Sequence, residues 1–304
     1  MKGTKTPDAL SLSVGENTMT TYVLPVLFIF FIWWFSTGAI IYLNNLPKYT
    51  YKWSFPAVTA VLVASIYGLT VTSQSDTLAS AYLSFTFGLL AWAWTQFTFY
   101  TGIITGPRTT ACPSSCTGGR HFWHAVETSM YHEIFAALIG VVICFSTMKG
   151  INHVGSWTYT IIWLMHSSAK INAVLGVRNL NEHFFPEQLR YLSSFLKKRP
   201  MNLLFPVSIT VSTVATAILV HKAMAAESGS FELLAYTFYI VILALGILEH
   251  WFMMLPIPSE ALWNWSVKAK KTLSGPEHEE VLPALEPAYQ PSRPRVPAVA
   301  GQDI

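Results

Sequence analysis

The stretch HFWHAVETSMYHEIFAALIGVVICFSTM, residues 121–148, decides the class of fold. It predicts one membrane-spanning helix, because about fourteen apolar residues follow a first part that carries His124, Glu127, His132 and Glu133. Ionisable side chains at membrane depth cost free energy, so they face protein or a watery cavity and commonly mark a functional site. The stretch therefore predicts a membrane protein and the place of its site.

The composition excludes an ordinary soluble protein. Of the 304 residues, 52% are hydrophobic and 12% are charged, whereas a soluble globular chain has about 25% charged residues. The net charge of +3 comes from 19 Lys and Arg against 16 Asp and Glu, which is too small and too dispersed for a nucleic-acid-binding surface. Three cysteines do not make a disulfide framework.

Six further apolar runs accompany this stretch. They predict an all-α, polytopic membrane protein with seven transmembrane helices. The predicted spans are residues 22–43, 55–72, 78–104, 121–148, 156–176, 203–220 and 232–255. The remaining segments are predicted as a polar N-terminal segment (1–21), an interfacial segment (256–272) and a disordered tail rich in Pro, Glu and Ala (273–304), around a membrane domain of 22–255.

The distribution of basic residues predicts the orientation. The N-terminal segment and the 2–3, 4–5 and 6–7 loops hold four Lys and Arg, the other loops and the tail hold fourteen, and Lys170 lies inside a span. By the positive-inside rule the N-terminus is periplasmic and the C-terminus cytoplasmic. After the fifth span, an apolar face predicts a short interfacial helix. That face consists of Leu189, Leu192, Phe195 and Leu196.

Polar side chains from three spans fall in the predicted cytoplasmic half of the bilayer. Three readings stay open: helix-stapling pairs, a site for a metal ion or tetrapyrrole such as transient bacteriochlorophyll, and proton or substrate chemistry. The Glu-x-x-His signature of di-iron bundles is absent, since His124 precedes Glu127. The candidate cofactor ligands are His132, His166 and His250, and the candidate metal ligands are Glu127, His132, Glu133, Glu249 and His250.

A second candidate metal site precedes the fourth span. Cys112-x3-Cys116-x4-His121-x2-His124 places four ligands of zinc type within thirteen positions. The alternative is a reduced loop whose turns are set by proline and glycine. Cys144 is interpreted as core packing.

Lys170 is expected to form an ion pair. A lysine within reach of lipid is stable when deprotonated, snorkelling or paired, and the depths along the spans favour Glu133, Glu127 or Glu249 as its partner. Of these, Glu133 is the first choice. His132, His166 and His250 are expected to gather around the pair.

Five long motifs resemble the PuhE family, a group of photosynthetic complex assembly proteins. The motifs are WWFSTGAIIYLNNLP (33–47), GLLAWAWTQFTFYTGIITGPR (88–108), WHAVETSMYHE (123–133), SAKINAVLGVRNLNEHFFPEQLRYL (168–192) and RPMNLLFPVSIT (199–210), and the similarity extends over about 22–265. The resemblance implies a purple-type phototrophic bacterium and a multi-pass protein of its inner, intracytoplasmic membrane. It provides no catalytic residue.

The resemblance implies a non-enzymatic assembly factor. Such a protein supports formation of the reaction centre and core antenna or their bacteriochlorophyll supply, with the lipid bilayer, reaction-centre or antenna subunits and bacteriochlorophyll-biosynthesis proteins as partners. The alternative from the residues alone is a membrane metalloenzyme or tetrapyrrole-binding protein that uses the His and Glu cluster.

Overall fold

A computed structural model describes residues 19–113, 116–180, 185–255 and 262–263. Within these ranges the protein is all-helical, with one isolated parallel bridge between Val177 and Lys198 as its only β-type pairing. The expectations for residues 1–18, for most of the segment 256–272 and for the tail 273–304 lie outside the described residues.

Eight α-helices form the described part of the chain. They are α1 (Leu24–Asn44), α2 (Tyr51–Thr72), α3 (Leu78–Tyr100), α4 (Gly118–Glu127), α5 (Met130–Thr147), α6 (Val154–Leu175), α7 (Leu204–Ala225) and α8 (Phe231–Phe252). A π-helical turn precedes α1 (Met19–Val23), a short 3-10 turn precedes α2 (Lys48–Thr50), and a longer 3-10 helix, here called the 3-10 segment, lies at Glu187–Phe195.

Five helical stretches are long and apolar enough to cross a membrane. They are Met19–Asn44, Lys48–Thr72, Met130–Thr147, Leu204–Ala225 and Phe231–Phe252. The chain is therefore an α-helical, multi-pass membrane protein. Helices α3 and α6 have 23 and 22 residues, which is also the length of a span, but they are not among the five apolar stretches and lie centrally among the others.

The predicted fourth span is wrong as one helix. The helix is interrupted at Thr128 and Ser129, so the stretch 121–148 is divided between the polar helix α4 and the apolar helix α5. The loop before α4 enters the break, because the His132 N–H donates to the Thr105 carbonyl at 2.8 Å. A Cβ on Gly106 would overlap the Glu127 carbonyl oxygen, so only glycine permits this approach.

The predicted third span also ends early. Helix α3 ends at Tyr100 rather than at residue 104, since the next turn contains Gly102 with φ +77°. Left-handed backbone of this kind ends a helix at low cost only at glycine. The other five predicted spans match helices to within a few residues.

The 3-10 segment differs from the predicted surface helix. Its apolar residues Leu189, Leu192 and Phe195 are buried, and the first two pack on Phe99 of α3. Leu196 lies beyond the end of the segment. The apolar face is thus covered by protein, and the segment forms a cap over one end of the bundle.

Neighbouring helices alternate in direction. At one end the turn after α5 reaches the turn after α2, where Ile151 N–H donates to Ser73 O at 2.8 Å and Asn152 Nδ2 donates to Thr72 O at 3.1 Å. Helices α3 and α6 begin at this end. We call it the opposite end, because it lies across the bundle from the end that carries most of the basic residues.

The other end of the bundle carries most of the Lys and Arg residues among those described. Here Gln188 Nε2 of the 3-10 segment donates to Tyr100 O at 2.8 Å, and Asn179 N–H donates to Met253 O at 2.9 Å. We call it the basic end. Among the described residues its loops and helix ends carry Lys48, Lys52, Arg108, Arg120, Arg178, Arg190, Lys197, Lys198 and Arg199, while the opposite end carries Lys149 and Lys222.

Two apolar clusters hold α3 and α6 in the centre of the bundle. One joins α1, α3 and α8 around Phe85 and Phe238, and the other joins α2, α3, α5 and α6 around Trp92 and Tyr159. The backbones of α3 and α6 come close, since a Cβ on Gly88 would lie 2.5 Å from Gly155 O. Small residues permit such close helix packing in membranes.

Candidate functional site

Lys170 of α6 forms an ion pair with Glu133 of α5. Lys170 Nζ lies 2.8 Å from Glu133 Oε1, and the two side chains are 23% and 32% exposed. The other carboxylate oxygen, Oε2, accepts from Trp163 Nε1 at 3.0 Å and from Ser167 Oγ at 3.3 Å. Lys170 Nζ also lies 4.7 Å from the centre of the Phe99 ring, which adds a cation–π contact.

The two other partners considered for Lys170 are engaged elsewhere. Glu127 Oε2 forms an ion pair with Arg108 Nε at 2.8 Å across the break between α4 and α5. Glu249 Oε1 accepts from Trp33 Nε1 at 2.9 Å. The structure thus assigns each of the three carboxylates a different donor.

Two histidines lie beside the ion pair. His132 is 1% exposed, and its ring centre lies 6.3 Å from that of His166, with Trp92 against both rings. Among the described residues, the Nε2 atoms of His132 and His166 have no hydrogen-bond partner in the protein. Buried polar atoms are normally paired, so an unpaired ring nitrogen calls for an explanation such as a ligand or a water molecule.

His250 belongs to a separate network and does not join the pair. Its Nδ1 lies 2.8 Å from Gly246 O, and its Nε2 lies 2.9 Å from Ser168 Oγ, which is in turn 2.9 Å from Ser208 Oγ. Nδ1 therefore contacts the backbone of its own helix, and Nε2 joins α8 to α6 and, through Ser168, to α7. Of the three imidazoles expected around Lys170, the structure places His132 and His166 near the ion pair and His250 in this separate network.

A cavity of about 430 Å³ lies between α1, α3, α6 and α8, toward the basic end. Asn44, Gln96 and His166 are among its lining residues, and each has one buried atom (Oδ1, Nε2 and Nε2, respectively) without a hydrogen-bond partner among the described residues. The Trp33 and Glu249 pair forms part of the same wall. The aromatic lining consists of Trp33, Trp92, Tyr100, Phe185 and Trp263.

Trp263 closes one side of the cavity. Its Nε1 donates to Trp34 O at 3.1 Å, and its ring centre lies 5.5 Å from that of Trp33 in an edge-to-face arrangement. Trp34 Nε1 donates in return to Leu262 O at 2.9 Å. This segment after α8 is therefore fixed against α1.

The candidate metal ligands inside the bundle are not brought together. Glu127, Glu133, Glu249 and His250 each bind a different protein partner, as described above, and His132 packs among aromatic rings. Among the described residues, one group of at least three side chains has its ligand atoms close enough to hold a metal ion, and it contains none of these five residues. The arrangement offers no di-iron centre.

Three residues of the Cys and His motif, Cys112, Cys116 and His121, come together, and the fourth, His124, contacts Cys116. Cys112 Sγ lies 3.3 Å from His121 Nδ1, and Cys116 Sγ lies 3.1 Å from His124 Nδ1. The ligand atoms of Cys112, Cys116 and His121 all lie within 4.8 Å of one another. Burial and the neighbouring Cys116 thiol raise the pKa of the Cys112 thiol. Cys144 is exposed on α5 rather than packed in the core.

Sequence reasoning missed the polar residues of the cavity. Asn44 and Gln96 lie at or near the ends of apolar helices, where such residues are usually interpreted as chain ends facing water. Gln96 stands within the aromatic run AWAWTQFTFY of α3 (91–100), and an amide in such a run was the available signal.

The fold and the site define the class of protein: an α-helical, multi-pass membrane protein with a polar-lined cavity inside its bundle. A family model described as "Protein of unknown function (DUF3623)" matches residues 19–274. The chain belongs to this family.

One relative is named after the position of its gene. The "Uncharacterized 30.4 kDa protein in puhA 5'region" of Rhodobacter capsulatus is 33% identical over 241 residues, which cover 77% of this chain and 87% of the relative. No solved structure matches the chain.

Proposed function

We propose that this protein is an assembly factor of the PuhE type, which holds bacteriochlorophyll or a precursor for the reaction centre and core antenna of a phototrophic bacterium. The observation that carries the proposal is the cavity between α1, α3, α6 and α8. Three of its lining residues, Asn44, Gln96 and His166, each have a buried polar atom without a partner among the described residues. The relative's location in the puhA 5′ region supports a role in the assembly of a photosynthetic complex, and the motif resemblance supports the choice of pigment.

The chemistry of the cavity wall suits a tetrapyrrole. The cavity volume of about 430 Å³ lies within the range of about 300–1,000 Å³ found for small-molecule sites. Trp33 and Trp92 offer faces for a flat aromatic ring. Gln96 Nε2 can donate to a ring carbonyl oxygen, and His166 Nε2 would be the nitrogen offered to the central metal of the pigment.

The ion pair is interpreted as a support for this wall. Lys170 lies one helical turn after His166 on α6, so both side chains share a face of that helix. The pair with Glu133 fixes α6 to α5 at this depth. In this account Lys170 and Glu133 hold His166 in place and do not themselves contact the pigment.

We further infer seven spans, with α3 and α6 crossing the membrane beside the five more apolar helices. Their lengths and the alternating direction of the helices support this topology. The excess of Lys and Arg at the basic end favours a cytoplasmic location for that end in the inner membrane.

The alternative of a membrane metalloenzyme has weaker support. A centre of this kind needs several of the residues Glu127, His132, Glu133, Glu249 and His250 close together, and Glu127, Glu133, Glu249 and His250 each contact a different protein partner.

Complementation in the host tests the proposal. The gene is deleted, and absorption spectra of membranes from phototrophically grown cells are compared after return of the wild-type gene, His166→Ala or His221→Ala. His221 is an exposed histidine at the opposite end and serves as the matched control. We expect the deletion and His166→Ala to lower core-complex absorption and His221→Ala to restore it. Unchanged core-complex and pigment levels in the deletion strain would remove the proposal.

A further inference from the structure

We propose that Cys112, Cys116, His121 and His124 bind one zinc ion at the basic end, and that this site fixes the 3-10 segment to the loop before α4. The site is independent of the cavity and of any pigment. It is carried by three observations: the distances between the ligand atoms, the orientation of His121, and the contacts of the loop with the 3-10 segment.

The distances match the edges of a tetrahedral site. Zn–S bonds of about 2.3 Å and Zn–N bonds of about 2.0–2.1 Å place a sulfur and a nitrogen ligand about 3.6 Å apart. The observed pairs are 3.3 Å for Cys112 Sγ and His121 Nδ1 and 3.1 Å for Cys116 Sγ and His124 Nδ1. A small outward movement of each pair therefore admits the ion.

His121 is oriented as a metal ligand. Its Nε2 lies 3.1 Å from the Phe195 carbonyl, which can only accept, so Nε2 carries the proton and Nδ1 presents its lone pair to Cys112. A ligating histidine usually donates its second N–H to a carbonyl or carboxylate in this way. The ring is 6% exposed, so its orientation is fixed by packing.

The ligand set selects zinc among the common ions. Two thiolates and two imidazoles in a tetrahedral arrangement suit Zn²⁺, whereas Mg²⁺ and Ca²⁺ prefer oxygen ligands. Two thiolates also neutralise the charge of the ion. Four protein ligands leave no open coordination position, so the site is structural and not catalytic.

The site joins two segments that are distant in sequence. Cys112 N–H donates to Ser194 Oγ at 2.8 Å, and His121 Nε2 donates to Phe195 O, so the loop is bound to the end of the 3-10 segment. The beginning of that segment is bound to α3 through Gln188 Nε2 and Tyr100 O. Zinc therefore stabilises the cap over the basic end of the bundle.

The metal content of the purified full chain tests the proposal. The chain is expressed with added zinc, purified in detergent with reductant, and compared with the double variant Cys112→Ser and Cys116→Ser and with Cys144→Ser. Cys144→Ser is the matched control, because Cys144 is an exposed thiol outside the site. We expect about one zinc ion per chain in the wild type and the control, and at least a tenfold lower content in the double variant.

A second measurement covers the case in which the double variant fails to fold. Cobalt(II) added to the metal-free wild-type chain should give the absorption bands of a tetrahedral site with thiolate ligands, and one equivalent of zinc should remove them. X-ray absorption of the zinc-loaded chain should show two sulfur ligands at about 2.3 Å and two nitrogen ligands at about 2.0–2.1 Å. Zinc content that is unchanged in the double variant, or a folded wild-type chain that binds neither ion, overturns the proposal and leaves two S–H···N hydrogen bonds in its place.

Discussion

The ammonium group of Lys170 lies 2.8 Å from the carboxylate of Glu133 on the neighbouring helix, and Trp163 and Ser167 of the lysine's own helix donate to the same carboxylate. Helix α6 therefore supplies three donors to one acidic group of α5. This relationship holds the two helices in register beside His166, and it makes the pair sensitive to loss of either charge.

Lys170→Met should destabilise the protein by about 1–3 kcal/mol, because it leaves Glu133 without its cation. This cost is below that of breaking a fully buried pair, since both side chains keep some exposure. Adding Glu133→Gln should restore at least half of the lost thermal stability. Lys149→Met, at an exposed lysine, is the control. The melting temperature in detergent measures the effect. An unchanged melting temperature for Lys170→Met would contradict the assigned role of the pair.

Gly106→Ala should separate the loop from the break between α4 and α5. The added Cβ overlaps the Glu127 carbonyl oxygen, and overpacking of this kind costs about 1–3 kcal/mol. Gly119→Ala is the matched control, because its Cβ meets no atom within 4 Å. Thermal unfolding of the two variants side by side tests the break. Equal melting temperatures would contradict the close approach of Gly106 to the break.

His250→Leu should lower stability without lowering pigment binding. Its ring nitrogens contact Gly246 O and Ser168 Oγ, and loss of one such buried partner costs about 1–3 kcal/mol. His166→Ala should show the reverse, with pigment binding lost and stability nearly kept, because His166 Nε2 has no partner among the described residues. Melting temperature and pigment titration of both variants distinguish the two roles. A loss of binding in His250→Leu at full stability would place His250 in the site.

Trp33→Leu should weaken pigment binding by about tenfold, since one aromatic contact and its support of Glu249 are lost. Trp53→Leu is the control, because Trp53 is 74% exposed and does not line the cavity. Fluorescence-monitored titration gives both affinities. Equal affinities would locate the pigment outside this cavity.

The sequence predicts the helices better than their interruptions. Apolar length places the helices to within a few residues, but the break at Thr128 depends on Thr105 and Gly106, which approach from a loop that no local periodicity describes. The 3-10 segment was predicted incorrectly for the same reason. Its apolar face predicts that these residues are buried, but the sequence does not show whether lipid or a residue such as Phe99 covers them.

The site was predicted in part for related reasons. The depths along the predicted spans limited the partner of Lys170 to three carboxylates, and Glu133, which the structure places 2.8 Å from it, was among them. The place of His250 could not be inferred, because its partner Ser168 is an ordinary residue of an apolar helix. Asn44 and Gln96 became meaningful only when the structure placed them on one cavity.

Titration of the purified full chain with bacteriochlorophyll a in detergent tests the proposed pigment site. We expect about one pigment per chain, with a shifted absorption band in the wild type and in His221→Ala. We expect at least a tenfold loss of affinity in His166→Ala and in Gln96→Leu, both of which should remain folded. Absence of binding by the folded wild-type chain, or equal binding by all four proteins, would contradict the account.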